Sequence, residues 1–251
     1  MTKGFYQLTS GILSQGRRLD VVGNNMTNLS TAGYKAETYT DRTFQEVLIS
    51  RVGNKDKSGA AVIGQESYIL APDQMYVNYE QGALKETGLT LDFAIQGDGF
   101  FAVQTDNGVE YTRSGSFSLD GEGRLCLAGQ GLVLGTDGQP ITLATDQIEA
   151  DSAGRIYTAD GTYQGQIGVY TFADNAQLAK GESGLFVSNG QQAQIQAQPQ
   201  VMWKHVEESN VDMLQEMSRM LTAQRSLQSG AQVLKLYDAL LTKATGELGQ
   251  I

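Results

Sequence analysis

The stretch VVGNNMTNLSTAGYK, Val21 to Lys35, decides how the chain is read, because two patterns collide in it. Val22, Met26 and Leu29 continue a spacing of three and four that begins at Phe5 and passes through Leu8, Ile12, Gln15 and Leu19. That is the spacing of a coiled-coil seam. Asn24, Asn25 and Asn28 cut across it with a residue that competes for backbone hydrogen bonds and is a mediocre helix former. On a helical wheel Asn24 and Asn28 fall nearly opposite the seam, with Asn25 on the flank. A helix that only faced water would carry lysines and glutamates there. The uncharged face predicts a helix covered on several sides, its seam against a second helix of the chain and its amides against neighbouring subunits. Thr9, Gly16, Gly23 and Ser30, small residues every seven beside the seam, add an expectation of close backbone approach. Gly33 is expected to end the helix as a left-handed cap.

The far end of the chain repeats the design. Met213, Met217, Met220, Gln224, Leu227, Ala231, Leu234, Asp238, Leu241, Thr245 and Leu248 again step by three and four. SNVD at Ser209–Asp212 has the form of a capping box with Asp as its acidic member, and Gly246 is a plausible stop. The seam methionines would tolerate imperfect or changing packing. Helices are therefore expected over 1–34 and 209–251.

Between them the text changes to short apolar or alternating runs separated by Asp98-Gly99, Asp120-Gly121, Asp137-Gly138 and Asp160-Gly161. Asp-Gly is a strong hairpin-turn signal, so an antiparallel β domain is expected over 82–190. Residues 35–81 read as an extended or β-hairpin bridging segment, with a short helix in TFQEVLIS (Thr43–Ser50), a polar loop in RVGNKDKSG and an extended run in ESYILAPDQMYVNYE. Residues 191–208 read as an extended connector. The expected fold is α+β: long terminal helices paired as a coiled coil, enclosing a predominantly antiparallel β middle.

Charge supports that division. The 251 residues carry a formal −10, which argues against nucleic acid or an anionic membrane surface as a main partner. Residues 1–30 are net +2 and residues 205–251 net −2, so the acidity belongs to the middle. Cys126 is the only cysteine and is expected on a strand as a buried, inert thiol. No run suits a signal-peptide core or a membrane span, so the chain is expected to be cytoplasmic or exported without a cleaved signal.

Enzyme readings are weak. Gly97-x-Gly99-x-x-Ala102 mimics a dinucleotide fingerprint, but FFAVQT and a turn follow it where a helix is needed. His205, the only histidine, stands near Trp203 with no ligand partners at metal-binding spacing. Ser183 lacks a nucleophile-elbow glycine, and Glu207-Glu208 suits solvent or a partner. No catalysis, cofactor, metal or small-molecule substrate is expected.

The run from Asn24 to Lys35 resembles the N-terminal signature of bacterial flagellar rod and hook proteins: Asn-Asn, an apolar residue, a small residue, Asn, then Thr-x-Gly-aromatic-Lys. Thr27 and Leu29 depart from it in size. GLTLDFAIQGDGFFAVQT (Gly88–Thr105) with YTRSGSFSLDGEGRL (Tyr111–Leu125) resembles the family's β block, and EESNVDMLQEMSRMLTAQRSLQ (Glu207–Gln228) its C-terminal helix. The resemblance implies a rod subunit at the flagellar basal body, exported unfolded through the flagellar type III apparatus. Its partners would be itself and other rod and hook-basal-body proteins. The compact ending and GQIGVYTFADNAQLAKGESGLF (Gly165–Phe186) point to a proximal rather than a distal rod subunit. An assembly interface is expected at Leu19, Val22, Asn24, Asn25, Met26, Asn28, Gly33, Met213, Met217, Met220, Leu227, Leu234 and Leu241. The termini are expected to be disordered in the monomer and to fold on docking. The competing reading is a monomeric β-rich surface-binding module with a helical stalk.

Overall fold

A 26-residue helix, α1 (Thr2–Thr27), carries the first heptad. The computed structural model describes residues 2–51, 61–143, 145–181 and 183–248 and divides into two compact units. One holds both terminal helices with Glu37–Tyr76; the other holds Thr27–Ala36 with Val77–Val211.

In the first unit α1 shields its seam except at Phe5, which is exposed: Leu8, Ile12, Gln15, Leu19 and Met26 are half-buried and Val22 is buried. A second face is covered as well. Ser14 and Arg18 both reach Asp41, at 2.6 and 3.1 Å. The Asn25 amide donates to the Glu37 carbonyl and accepts from the Glu37 amide. These bonds fix α1 to β1 (Glu37–Arg51), which pairs with β2 (Ala61–Val77) in a two-stranded sheet. The short helix expected over 43–50 is strand instead. Eight residues nucleate a helix poorly, and the Thr, Phe, Val and Ile content suits a paired strand. The loop expected after it lies largely outside the described residues.

The helix α2 (Met213–Leu248) touches α1, and a Cβ placed at Gly230 would lie 3.1 Å from Ile12. Its shielded residues are Glu216, Met220, Ala223, Leu227, Gly230, Leu234, Tyr237 and Leu241. That is a heptad, but only every second member of the expected seam belongs to it. Met213, Met217, Gln224, Ala231 and Asp238 are exposed. The small residues that permit close packing are Ala223 and Gly230 of α2; added Cβ atoms at Gly16 and Gly23 would meet nothing within 4 Å. The cap also differs. Asp212 accepts from the amides of Leu214 and Gln215, while the Ser209 hydroxyl accepts from Val211. The helix runs through Gly246, the expected stop.

α1 ends six residues before Gly33. A turn follows, in which the Thr31 amide and hydroxyl both bond Asn28. Gly33 is left-handed (φ 69°) for another reason: a Cβ there would sit 2.2 Å from the Ser114 nitrogen. It permits backbone contact within the second unit.

That unit is a set of small antiparallel sheets. Short strands β3 (Leu84–Glu86) and β4 (Phe93–Ile95) pair late in the chain with β18 (His205–Glu207) and β17 (Val201–Trp203). The largest sheet centres on β5 (Phe100–Thr105) and β6 (Gly108–Thr112) and extends through β7 (Ser118–Leu119), β8 (Leu125–Leu127) and β9 (Gly131–Val133). A separate three-stranded sheet joins β10 (Ile148–Ala150), β11 (Arg155–Thr158) and β12 (Tyr163–Gln166). β13 (Val169–Thr171), β14 (Ala179–Lys180), β15 (Phe186–Val187) and β16 (Gln194–Ile195) complete the large sheet. One core contains Phe93, Phe101, Leu125 and Ile167; a second, aromatic one contains Phe100, Tyr111, Tyr170 and Phe186. Cys126 lies on β8 but is half-buried, its sulfur 3.3 Å from the Ser118 hydroxyl.

Candidate functional site

The lysine that closes the opening motif lies in the second unit, and it is almost wholly buried. Lys35 is 1% exposed, Arg113 3% and Glu207 0%. The Lys35 ammonium donates to Glu207 Oε1 at 2.5 Å and to the Glu80 carbonyl at 2.7 Å. Arg113 Nη1 reaches Glu207 Oε2 at 3.2 Å, and the Gly82 amide donates to Oε1. Burial pulls the Lys35 ammonium below the ordinary lysine range, while Glu207 pulls it back up. Burial lowers Arg113 in the same way.

Around this cluster the two ends of the chain are knitted together. Gly33 donates to the Glu207 carbonyl at 2.7 Å and Ala36 to Asn210 Oδ1 at 2.7 Å. Asn210 Nδ2 donates to the carbonyls of Asn78 and Glu80, and the Asn78 amide to the Ala36 carbonyl. Lys180 caps the Tyr34 ring at 4.0 Å. The sequence reading singled out Gly33 but not Lys35, Arg113, Glu207 or Asn210 as a group. The available signal was the lysine that closes the Asn-rich signature; of the Glu207-Glu208 pair expected to face solvent or a partner, Glu207 is instead wholly buried and Glu208 exposed.

The helical candidates lie in the first unit, except Asn28, which follows the end of α1 and belongs to the second. Leu19, Met26, Met220, Leu227, Leu234 and Leu241 are half-buried and Val22 is buried; Met213 and Met217 are exposed. Asn24 is exposed and Asn28 half-buried. Asn25 is 1% exposed, so its amide holds Glu37 inside the chain and is not offered to a neighbouring subunit. Away from the shielded face of α2 runs an interrupted apolar stripe, Leu214, Met217 and Leu221 near its start and Leu236 and Leu240 near its end, each 42–79% exposed, with Arg225, Gln228 and Gln232 between the two groups. Phe5, Tyr6 and Leu13 are exposed on α1.

Residues 94–157 match the flagellar hook protein FlgE/F/G D1 domain, and residues 204–246 match the flagellar basal body rod FlgEFG protein C-terminal region. The flagellar basal-body rod protein FlgG of Bacillus subtilis is 32% identical over 96% of this chain and 97% of its own length. The chain belongs to the flagellar basal-body rod FlgE/F/G family. FlhO, a flagellar hook-basal body complex protein of Bacillus subtilis, is 31% identical over the full length of both chains. The rod protein FlgF of Mesorhizobium japonicum is 29% identical over 99% of each.

As a member of this family the chain is a structural subunit of the flagellar basal-body rod, not an enzyme, and it assembles with other rod and hook-basal-body subunits. The residues weighed for chemistry have other roles. Gly97 and Gly99 lead into β5, not into a helix. The Trp203 indole donates to the Thr90 carbonyl, and His205 Nδ1 lies 2.7 Å from the Trp203 carbonyl.

Proposed function

We propose that this subunit polymerises through its terminal helices into the helical shaft of the rod and transmits torque toward the hook by stiffness, without bond chemistry. The observation that carries the reading is the exposed apolar stripe on α2. Burying each such side chain would contribute roughly 1.5–3 kcal/mol, and a heterologous contact repeated without closure builds an open helical assembly. The contacts then comprise Asn24, Met213 and the stripe in the first unit and, separately, Asn28 in the second. Leu19, Val22, Met26, Met220, Leu227, Leu234 and Leu241 hold the helix pair that presents it. Asn25 and Gly33 shape the protomer, and β1 with β2 bridges neighbours. The family resemblance favours export through the flagellar type III apparatus, and a chain with one cysteine and three prolines suits passage in the unfolded state. The resemblance of the Gly165–Phe186 segment favours a proximal position.

The test is Leu236→Glu with Leu240→Glu, beside Asn24→Ala and Asn28→Ala, in cells whose only copy is the variant. The expected outcome is an intact β unit by NMR in the purified chain and failure of rod assembly by electron microscopy of basal bodies. Normal rods in the leucine variant would overturn the stripe as the contact. Normal rods in both asparagine variants would remove those residues from it.

A further inference from the structure

The buried cluster is unbalanced in a way that assigns different jobs to its members. It holds two cations and one carboxylate. Exposed Asp98 adds a weaker attraction on Arg113 from outside it. Removing Lys35 leaves Glu207 bonded to Arg113 and to the Gly82 amide, so no orphaned charge remains. Removing Glu207 leaves two buried cations facing each other, which is strongly destabilising. The charges of the carboxylate and Arg113 thus compensate each other without the N-terminal segment, although Arg113 Nε has no hydrogen-bond partner among the described residues. Lys35 is the surplus cation, received between Glu207 Oε1 and the Glu80 carbonyl.

We propose that Glu207 and the Glu80 carbonyl form an ammonium receptor, and that residues 27–36 are a strap which this receptor holds on the β unit and can release. The other strap contacts fit a docked segment. Gly33 and Ala36 donate to acceptors on the C-terminal side of the unit, and the Asn78 amide to the Ala36 carbonyl. None of these groups belongs to the central strands β5 and β6, which pair with each other over Phe101–Thr105 and Gly108–Thr112 and with β9, β13 and β15. The ligand class of the receptor is a primary alkylammonium, supplied in cis by Lys35. The inference rests on the contacts of this unit and stands whether or not the helices polymerise.

The experiment is amide hydrogen exchange on the full chain, comparing wild type, Lys35→Ala and Glu207→Gln. In Lys35→Ala the Gly33, Ala36 and Asn78 amides should exchange roughly ten- to a hundredfold faster, the loss expected for a hydrogen bond to a charged group, while β5 and β6 keep their protection. Adding propylammonium chloride should restore slow exchange at those three amides, and equal sodium chloride should not. Glu207→Gln should lose protection throughout the unit. Uniform acceleration in Lys35→Ala, no acceleration, or equal effects of the two salts would each overturn the proposal. Should Lys35→Ala fail to fold, Lys35→Met, which keeps the buried stem and drops the charge, takes its place in the exchange test. Unfolding of both variants would show that the strap is part of the core, not a docked segment.

Discussion

Gly33 and Gly88 share a backbone conformation and differ in surroundings, which isolates what a glycine does at the junction. Their φ angles are 69° and 74°, both in the left-handed region. Beyond Gly88 a Cβ would meet nothing within 4 Å; beyond Gly33 it would overlap Ser114 and Arg113 backbone atoms. Alanine at Gly88 should therefore cost only the conformational term, about 1–2 kcal/mol. Alanine at Gly33 should cost that plus the displacement of packed backbone, a further ~1–3 kcal/mol. Urea denaturation followed by Trp203, the sole tryptophan, measures both in the same unit. Equal losses would mean that the strap moves away from Ser114 at no cost. The left-handed conformation of Gly33 was legible from its place in the motif. Its cause was not, because no local pattern links it to Ser114.

At the scale of elements, the Asp-Gly turns were legible, with positive φ at Gly99, Gly138 and Gly161, and one was misread in detail. Asp120-Gly121 looked like a two-residue turn, yet the left-handed glycine is Gly123. The turn is a longer unit, Asp-x-x-Gly-Arg, and Asp151 to Arg155 repeats it with Gly154 left-handed. In each, one aspartate oxygen accepts two backbone amides and the other accepts the arginine Nε. Asp120 is held below the ordinary carboxylate value of 3.8, first by the Arg124 amide and then by its side chain, against some desolvation. At Asp151 burial raises the carboxyl, but the Arg155 and Ala153 bonds outweigh it and the net shift is down. A depressed folded-state value means that the folded turn binds fewer protons than the unfolded chain. Its contribution is therefore present above about pH 3.8 and lost as pH falls through the folded value. Carbon-detected NMR titration should put both midpoints below 3.8, with Arg124 and Arg155 amide shifts following them. Midpoints at 3.8 or above would deny the turn bonds in solution. The seam of α2 was half legible for a related reason. Met213 and Met217 fit a three-four spacing as well as Glu216 and Ala223 do, and apolar residues on two faces leave the helix phase undetermined.

Across the whole molecule the two units differ in what holds them. The β unit has two buried clusters, with aromatic contacts such as Phe100–Phe186 at 5.5 Å. Among the described residues of the helical unit, the buried apolar side chains are Val21, Val22, Tyr39 and Ala223, while a stripe of leucines faces water. Local stability follows buried apolar contact, so the helices should open at lower free energy than the sheets. Urea titration of the full-length monomer should then show two steps, far-ultraviolet dichroism at 222 nm falling before Trp203 fluorescence changes. Assembly binds only folded helices, and whatever binds the native state alone stabilises it by mass action. In polymerised material the first step should therefore move to higher urea while the second moves less. Coincident transitions in the monomer would make helices and sheets one cooperative body. A first step unmoved by assembly would place the leucine stripe outside the contacts between subunits, and the stiffness of the shaft would have to come from the β units.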